Sequence, residues 1–292
     1  MRTIIYTFIA LFVFGLIAMS FTNKAETKSS IVIQAIDIKV SSVSLSQSAE
    51  IISNRLKDFS PEKFELTIVP EKNQIQLRFN NNNDLKTIEN LLVKKGILAF
   101  YETFNRKSLS DILPGNHHLF SLFNEETADN LSSEIGFISF VKVAKINDYL
   151  NTLGLNQRCK FAWSQNADNS DVCLYALKID SKKTAVVVRS DIKSVKFNQA
   201  GTSRNNEIEI QFKESAVLLW ADICKRNINN ALAIVLDDIV IAAPVVRSEI
   251  NGGRCTITGN YTKTEARYIA ALANNGELPL NFKVLKVDNS NN

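Results

Sequence analysis

Two short pairs of polar residues are the first candidates for chemistry in this sequence. His117 and His118 could ligate a metal ion, and Asp237 with Asp238 could act as paired carboxylates or hold a cation. Adjacent residues on an extended segment point to opposite sides, and no cysteine or carboxylate stands at ligand spacing from the histidines. The aspartates lie between two apolar runs, which is typical of a hairpin turn. We therefore predict no metal site at either pair.

Sequence patterns of common enzymes are also lacking. Gly252-Gly253 is not followed by a helix, as a phosphate-binding loop would be. The chain contains no Gly-x-Ser-x-Gly sequence, and neither histidine is placed to activate a nucleophile. The sequence predicts a protein that is not an enzyme and that binds no cofactor.

Four cysteines offer a different chemistry, which is disulfide bonding. Cys159 and Cys173 bracket a polar loop as in a disulfide-closed hairpin, and Cys224 and Cys255 could meet in the fold. A bridge across the first loop would contribute about 3 kcal/mol to stability. Four unpaired thiols are the alternative. No Cys-x-x-Cys spacing occurs, which argues against zinc and redox sites.

Aromatic residues between positions 105 and 190 are candidates for a surface that binds polypeptide. Exposed apolar side chains on a secreted module mark a surface for extended or unfolded chains. The alternative is that most of these residues build the core of their own domain. The candidate polypeptide-binding residues are Phe120, Phe123, Phe137, Phe140 and Trp163.

The N-terminal residues predict delivery across a membrane. Arg2 precedes an uncharged apolar run over residues 4–19, whose length lies between that of a signal-peptide core and that of a membrane span. We interpret residues 1–24 as a signal peptide, cleaved before Phe21, or as an uncleaved membrane anchor. The net charge of +4 is scattered, so a nucleic-acid partner is not expected.

The elements that must position these residues follow an order that occurs twice. Alternating strands and amphipathic helices over residues 30–104 read β-α-β-β-α-β, which is the order of a ferredoxin-like unit. The same order returns over residues 191–288. There Thr262 and Glu265 form the capping box of the last helix.

Between these two units the composition of the sequence changes. Residues 105–190 are richer in aromatic side chains and are interpreted as an inserted head domain on two connections. Residues 289–292 are expected to form a disordered tail. The sequence thus predicts an α+β fold in which two ferredoxin-like units form a base that carries an inserted α+β head.

Several short motifs occur in a fixed order along the chain. The pattern Ile-Ile-x-x-Arg is present in the first predicted helix at residues 51–55. The C-terminal motifs are Leu-Ala-Ile-Val-Leu-Asp at 232–237, Ala-Pro at 243–244, Gly-Gly at 252–253, Ile-Thr-Gly at 257–259, Glu-Ala at 265–266 and Gly-Glu-Leu-Pro at 276–279. This ordered series resembles SecD, the export-motor subunit of the bacterial Sec translocon, and residues 160–163 with 174–178 resemble the head insertion of fused SecDF forms. One departure is Asp238, where the family has glycine.

The resemblance implies the first periplasmic domain of SecD as a stand-alone protein without the membrane bundle, so proton-driven work is not carried over. It implies a non-enzymatic role in or beside Sec-dependent export, in which the chain binds extended or unfolded exported polypeptides. Its partners would include the Sec translocon or a full-length SecDF. The expected location is the periplasm, with tethering to the inner membrane only through the N-terminal segment. The alternative function is a cell-envelope adaptor or structural protein that binds one fixed partner.

Overall fold

The computed structural model describes residues 28–60, 63–80, 84–123, 132–165, 171–180, 182, 184–199 and 206–289. The predicted signal peptide or anchor at 1–24 lies outside these residues, as do residues 290–292 of the predicted tail. Within the described part of the chain, no helix is both long enough and apolar enough to span a bilayer.

The described residues form both strands and helices. The strands are β1 (Lys28–Ala35), β2 (Phe64–Val69), β3 (Gln74–Asn80), β4 (Leu98–Phe104), β5 (Glu134–Ser139), β6 (Cys159–Ser164), β7 (Asp171–Lys178), β8 (Ile192–Gln199), β9 (Asn206–Phe212), β10 (Leu232–Leu236), β11 (Ile239–Ala242), β12 (Arg254–Thr258) and β13 (Phe282–Asp288). The helices are α1 (Ser42–Phe59), α2 (Leu85–Val93), α3 (Arg106–Ser110), α4 (Val143–Thr152), α5 (Val217–Arg226) and α6 (Lys263–Asn274).

Side-chain hydrogen bonds fix the start of the last helix, as predicted. Thr262 Oγ1 accepts a hydrogen bond from the Glu265 N–H at 3.2 Å, and the Thr262 N–H donates to Glu265 Oε2 at 2.8 Å. Caps of this kind contribute about 1 kcal/mol each. The apolar face of α6, which includes Ala266 and Ile269, is buried in the core.

The first sheet has four antiparallel strands in the order β13-β1-β3-β2. Its helices α1 and α2 pack on one face, which is the arrangement of a ferredoxin-like unit. The fourth strand of that unit is β13, however, with Ala35 of β1 opposite Phe282 and Ser30 opposite Asp288. The prediction that β13 closes the second unit is therefore wrong.

The second sheet joins strands from all three predicted segments. Its order is β4-β10-β11-β6-β7-β5, and an additional pairing between β4 and β7 closes the first five strands into a ring. Among the described strand pairs of this sheet, only β11 and β6 run parallel. The interior of the ring is filled by small and medium side chains together with two tyrosines, namely Ala99, Tyr101, Ala162, Cys173, Tyr175, Leu177, Ala233, Val235 and Val240.

The third sheet has three antiparallel strands in the order β12-β9-β8. Helix α6 packs against this sheet and also against α1. One apolar core therefore contains residues from both predicted base units, including Ile31 of β1 and Ile208 of β9. A second apolar cluster, which includes Leu119 and Leu174, lies inside the segment predicted as the head.

A mixed α+β fold is confirmed, but the strand pairing corrects the predicted units. Residues 30–104 and 191–288 do not each form their own sheet, because β4 leaves the first sheet and pairs with β10. The strands β5, β6 and β7 of residues 105–190 belong to the same ring, so the head shares a sheet with the base. Periodicity locates a strand in the sequence, but it carries no information about the distant strand that pairs with it.

Candidate functional site

The five predicted aromatic residues have different surroundings. Phe123 is 4% exposed and packs beneath Gly136, where an added Cβ would lie 2.3 Å from Phe123 Cγ. It belongs to the core and is not available to bind polypeptide in this conformation. Phe140 is 49% exposed beside Val141, which is 85% exposed. These two residues form an apolar surface at the end of β5.

The other three aromatic residues are half-buried. Phe120 lies against the cluster inside the head, with the His117 ring 5.3 Å from its own ring. Trp163 contacts the same cluster, and its Nε1–H donates to Asn147 Oδ1 at 2.9 Å. Phe137 packs instead against the interior of the ring. The structure does not bring the five residues together into one surface.

The disulfide predicted between Cys159 and Cys173 is contradicted by the strand register. Cys159 lies opposite Lys178 in the β6–β7 hairpin, five residues away from Cys173 along β7. Five residues of a strand span about 16 Å, which far exceeds the Cα separation that a disulfide allows. Cys159 faces the core of the head, whereas Cys173 faces the interior of the ring.

The second predicted cysteine pair is closer together but is not bridged. All four cysteines are free thiols, and three of them are buried. Burial raises the pKa of Cys255 to about 12, and the nearby Cys224 contributes to this shift. Burial also raises the pKa of Cys224 to about 11. Thiols with such pKa values are poor nucleophiles at neutral pH.

The paired aspartates form a hairpin turn, as predicted. Asp237 and Asp238 have φ values of 49° and 66°, so both adopt the left-handed conformation of a type I′ turn. The Asp237 carboxylate accepts hydrogen bonds from the N–H groups of Gly96 at 3.0 Å and Ile97 at 2.7 Å. Asp238 forms an ion pair with Lys160 of β6 at 2.5 Å. These carboxylates hold loops together, and the described residues contain no group of three or more metal-ligating side chains.

The residues that resemble SecD motifs surround a cleft that the sequence did not reveal. It has a volume of about 480 Å³ and lies between the end of β11 and the strand β12. One side of the cleft is formed by residues 240–244 and the other by residues 256–261. Ser164, Gln165, Tyr175 and Glu265 add polar groups to its lining.

The backbone of β12 leaves hydrogen-bonding groups unpaired on the side of the cleft. The Phe212 N–H donates to the Gly253 carbonyl at 2.9 Å, so these two residues form a hydrogen-bonded pair at the start of the β9–β12 ladder. Such pairs recur at every second residue. Cys255 and Ile257 therefore bond to β9, whereas the N–H and C=O groups of Thr256 and Thr258 point away from it. No other strand of the described residues pairs with this edge of β12.

Tyr261 spans one end of the cleft. Its hydroxyl donates to the Ile241 carbonyl at 2.6 Å, which links the segment after β12 to β11. Burial, assisted by the Glu265 carboxylate, raises the pKa of this hydroxyl. A side chain at position 259 would meet the ring, because an added Cβ on Gly259 would lie 2.8 Å from Tyr261 Cε2. Glycine at this position keeps the ring in place.

The geometry of the cleft suits main-chain pairing rather than catalysis. An unpaired strand edge recognises an extended chain by backbone hydrogen bonds, and the adjacent surface selects alternate side chains. Two larger grooves lie elsewhere: about 960 Å³ between α1 and β2, and about 860 Å³ between α4 and β6. The second of these is lined by Trp163. The smaller cleft is favoured because the SecD-like motifs converge on it.

Comparison with protein families confirms the resemblance to SecD. Residues 172–280 match the family described as the SecDF P1 head subdomain, which includes both sides of the cleft. That span overlaps the predicted head only over residues 172–190. The SecD subunit of the protein translocase from Calditerrivibrio nitroreducens is 30% identical over 158 residues. This alignment covers 50% of this chain but only 30% of that protein.

Solved structures show the same fold. A SecDF in a super-membrane-facing form superposes with a TM-score of 0.54 and 18% identity, covering 89% of this chain and 30% of the SecDF chain. A second chain comes from a study of SecDF as a membrane component that enhances protein export. It gives a TM-score of 0.50 and 18% identity, with coverage of 89% of this chain and 99% of that one. The chain is thus related to SecD and shares the fold of this part of SecDF.

Proposed function

We propose that this relative of SecD is a non-enzymatic component of protein export that binds extended polypeptide along the free edge of β12. The observation that carries the proposal is the unpaired backbone of Thr256 and Thr258, which faces a cleft surrounded by the SecD-like motifs. An exported protein crosses the membrane unfolded and offers an extended backbone. That backbone can complete the hydrogen bonds of a strand edge whatever its sequence is.

The proposed location follows from the same relationship. The described domain lies in the periplasm, beside the Sec translocon or a full-length SecDF. Its cleft then receives a chain as it emerges, and the exposed Phe140 and Val141 add apolar contact. Nothing in this role requires a bond to be made or broken in the polypeptide.

Binding of an unfolded protein tests this proposal. The full chain should bind a chemically unfolded, alkylated protein in a fluorescence anisotropy assay, and it should not bind the native form of the same protein. Thr256→Pro removes the N–H that points into the cleft but spares the bonds to β9, so we expect binding to weaken about tenfold or more. Thr256→Ala keeps the N–H and is the matched control. Equal binding by both variants would place the polypeptide elsewhere.

A fixed adaptor is the second candidate function, because a free strand edge also suits one strand of one partner. A photoreactive residue at Thr258, which is exposed at the mouth of the cleft, separates the two functions in cells. Crosslinks to many different exported proteins support the export role. One crosslinked partner present in equal amount supports the adaptor.

A further inference from the structure

A second, smaller cavity lies behind β12 and next to the cleft. It has a volume of about 210 Å³ and lies between α5, β10, β12 and the segment 244–250. Its lining is mainly apolar and includes Phe100, Trp220, Ile234, Val246, Ile250 and Cys255. A cavity of about 150 Å³ with such a lining accepts a benzene ring, so this cavity has room for an aromatic side chain.

One side chain that lines this cavity has a polar group with no partner within the described residues. Trp220 is 3% exposed and stacks on Phe212 with ring centroids 4.5 Å apart. Its Nε1–H is buried and makes no hydrogen bond within the described residues. Buried indole N–H groups are nearly always paired with an acceptor, so a donor left unpaired within the described residues, in a side chain that lines a cavity, is available to an acceptor group of a bound molecule.

The cavity and the cleft are contiguous, because Pro244 and Thr256 line both. The side chains of Cys255 and Ile257 lie on the core face of β12, and Cys255 lines the cavity. Opposite residues of two paired strands project their side chains on the same face. A strand bound along β12 therefore directs the side chain opposite Cys255 towards the cavity.

We infer that this cavity is an anchor pocket for one aromatic side chain with a hydroxyl group, tyrosine, from the polypeptide that pairs with β12. The inference rests on the proposed function, since the bound strand carries the side chain to the pocket. The ring fills the apolar volume, and the hydroxyl oxygen accepts the hydrogen bond from Trp220 Nε1. Phenylalanine fills the same space but leaves the N–H unpaired. A site built to pair a polar group discriminates strongly against an analogue that lacks the partner atom.

The test compares labelled nine-residue peptides that differ only at the central residue. We expect the full chain to bind the tyrosine peptide about tenfold more tightly than the phenylalanine peptide, and the alanine peptide more weakly still. Trp220→Phe keeps a ring but removes the N–H, so the preference for tyrosine over phenylalanine should disappear. Val245→Phe narrows the mouth of the pocket from a half-exposed position and should reduce both aromatic peptides to the affinity of the alanine peptide.

The pocket can also be tested without a strand. The compound 4-methylphenol is the tyrosine side chain alone, and toluene is the phenylalanine side chain. In the full chain without any peptide, calorimetry should detect 4-methylphenol binding that is stronger than toluene binding and is lost in Trp220→Phe.

The outcomes separate the two proposals. Equal affinity for the three peptides, together with sensitivity to Thr256→Pro, would overturn the pocket and leave the strand pairing intact. A tyrosine preference that survives Trp220→Phe would also overturn the pocket. A peptide affinity that is unchanged in Thr256→Pro would overturn the strand pairing. If no peptide binds, the strand pairing fails, and a lack of 4-methylphenol binding then overturns the pocket as well.

Discussion

Arg55 Nη2 donates a 2.7 Å hydrogen bond to the carbonyl oxygen of Gly276, a residue 221 positions further along the chain. The same guanidinium donates to the carbonyls of Leu91, Lys94 and Lys95 at 3.1, 2.7 and 2.7 Å. One fully buried side chain thus joins α1 to the ends of α2 and α6. Burial lowers the pKa of Arg55 to about 10, while the charge of Asp237 opposes this shift.

Arg55→Leu should be among the most destabilising single changes in the protein. It leaves four carbonyl oxygens without their donor in a buried position, and we expect a loss of about 3 kcal/mol or more in the free energy of unfolding. Urea denaturation measures this loss. Arg78→Leu, at an exposed position of β3, is the control and should change the stability by less than about 0.5 kcal/mol. Similar losses in both variants would show that the hydrogen bonds of Arg55 do not stabilise this junction.

Gly96→Ala should disturb the same junction from its other side. Gly96 has a φ of 79°, and an added Cβ would lie 2.3 Å from Arg55 Nη2 and 2.8 Å from the Leu272 carbonyl oxygen. Gly154 has a similar φ of 69° but nothing within 4 Å of its added Cβ. Both alanine variants carry the backbone cost of about 1–2 kcal/mol. Gly96→Ala should cost about 2 kcal/mol more, and equal thermal stabilities would contradict the close packing around Arg55.

The two aspartates of the β10–β11 turn should respond differently to replacement by glycine. Asp237→Gly also relieves a left-handed backbone, but it removes the acceptor of the Gly96 and Ile97 N–H groups, so we expect a net loss of about 2 kcal/mol. Asp238→Gly removes an exposed ion pair with Lys160 but also relieves a left-handed backbone, so its net effect should stay within about 0.5 kcal/mol. Chemical denaturation of the two variants compares them directly. A larger loss of stability in Asp238→Gly than in Asp237→Gly would contradict these roles.

Tyr268 should make the stability fall at high pH. Burial and the charge of Asp237 raise its pKa to about 12 in the folded protein, compared with about 10 in an unfolded chain. Its contribution to stability is therefore complete below pH 10 and is lost as the pH rises to 12. In this window the unfolding free energy of the parent protein should fall more steeply than that of Tyr268→Phe, by up to about 1.4 kcal/mol per pH unit. Tyr149→Phe on α4 controls for the substitution itself, and parallel curves for parent and Tyr268→Phe would contradict the expected shift.

The sequence predicted individual helices, strands and turns far better than it predicted which strands pair with each other. The Thr262–Glu265 cap, the turn at Asp237 and Asp238 and the mixed α+β fold are confirmed, because each depends on residues close together in the chain. The exchange of β4 and β13 between sheets was missed. Both strands follow a helix, so only packing over long separations distinguishes their partners.

The candidate site shows the same limit. Five aromatic residues were chosen for their type, yet Phe123 is in the core and only Phe140 is largely exposed, because residue type does not report burial. The cleft is lined instead by small and polar residues such as Ala243 and Thr256, whose backbones matter more than their side chains. The dense run of motifs between residues 242 and 261 was the signal that could have located it.

Amide hydrogen exchange at β12, followed by NMR during addition of an extended peptide, tests the central claim most directly. The N–H groups of Cys255 and Ile257 already bond to β9 and serve as internal references. The N–H groups of Thr256 and Thr258 should exchange rapidly in the free protein and at least about tenfold more slowly when the peptide is bound. Unchanged exchange at Thr256 and Thr258 under conditions where the peptide is bound would contradict the proposed pairing with β12.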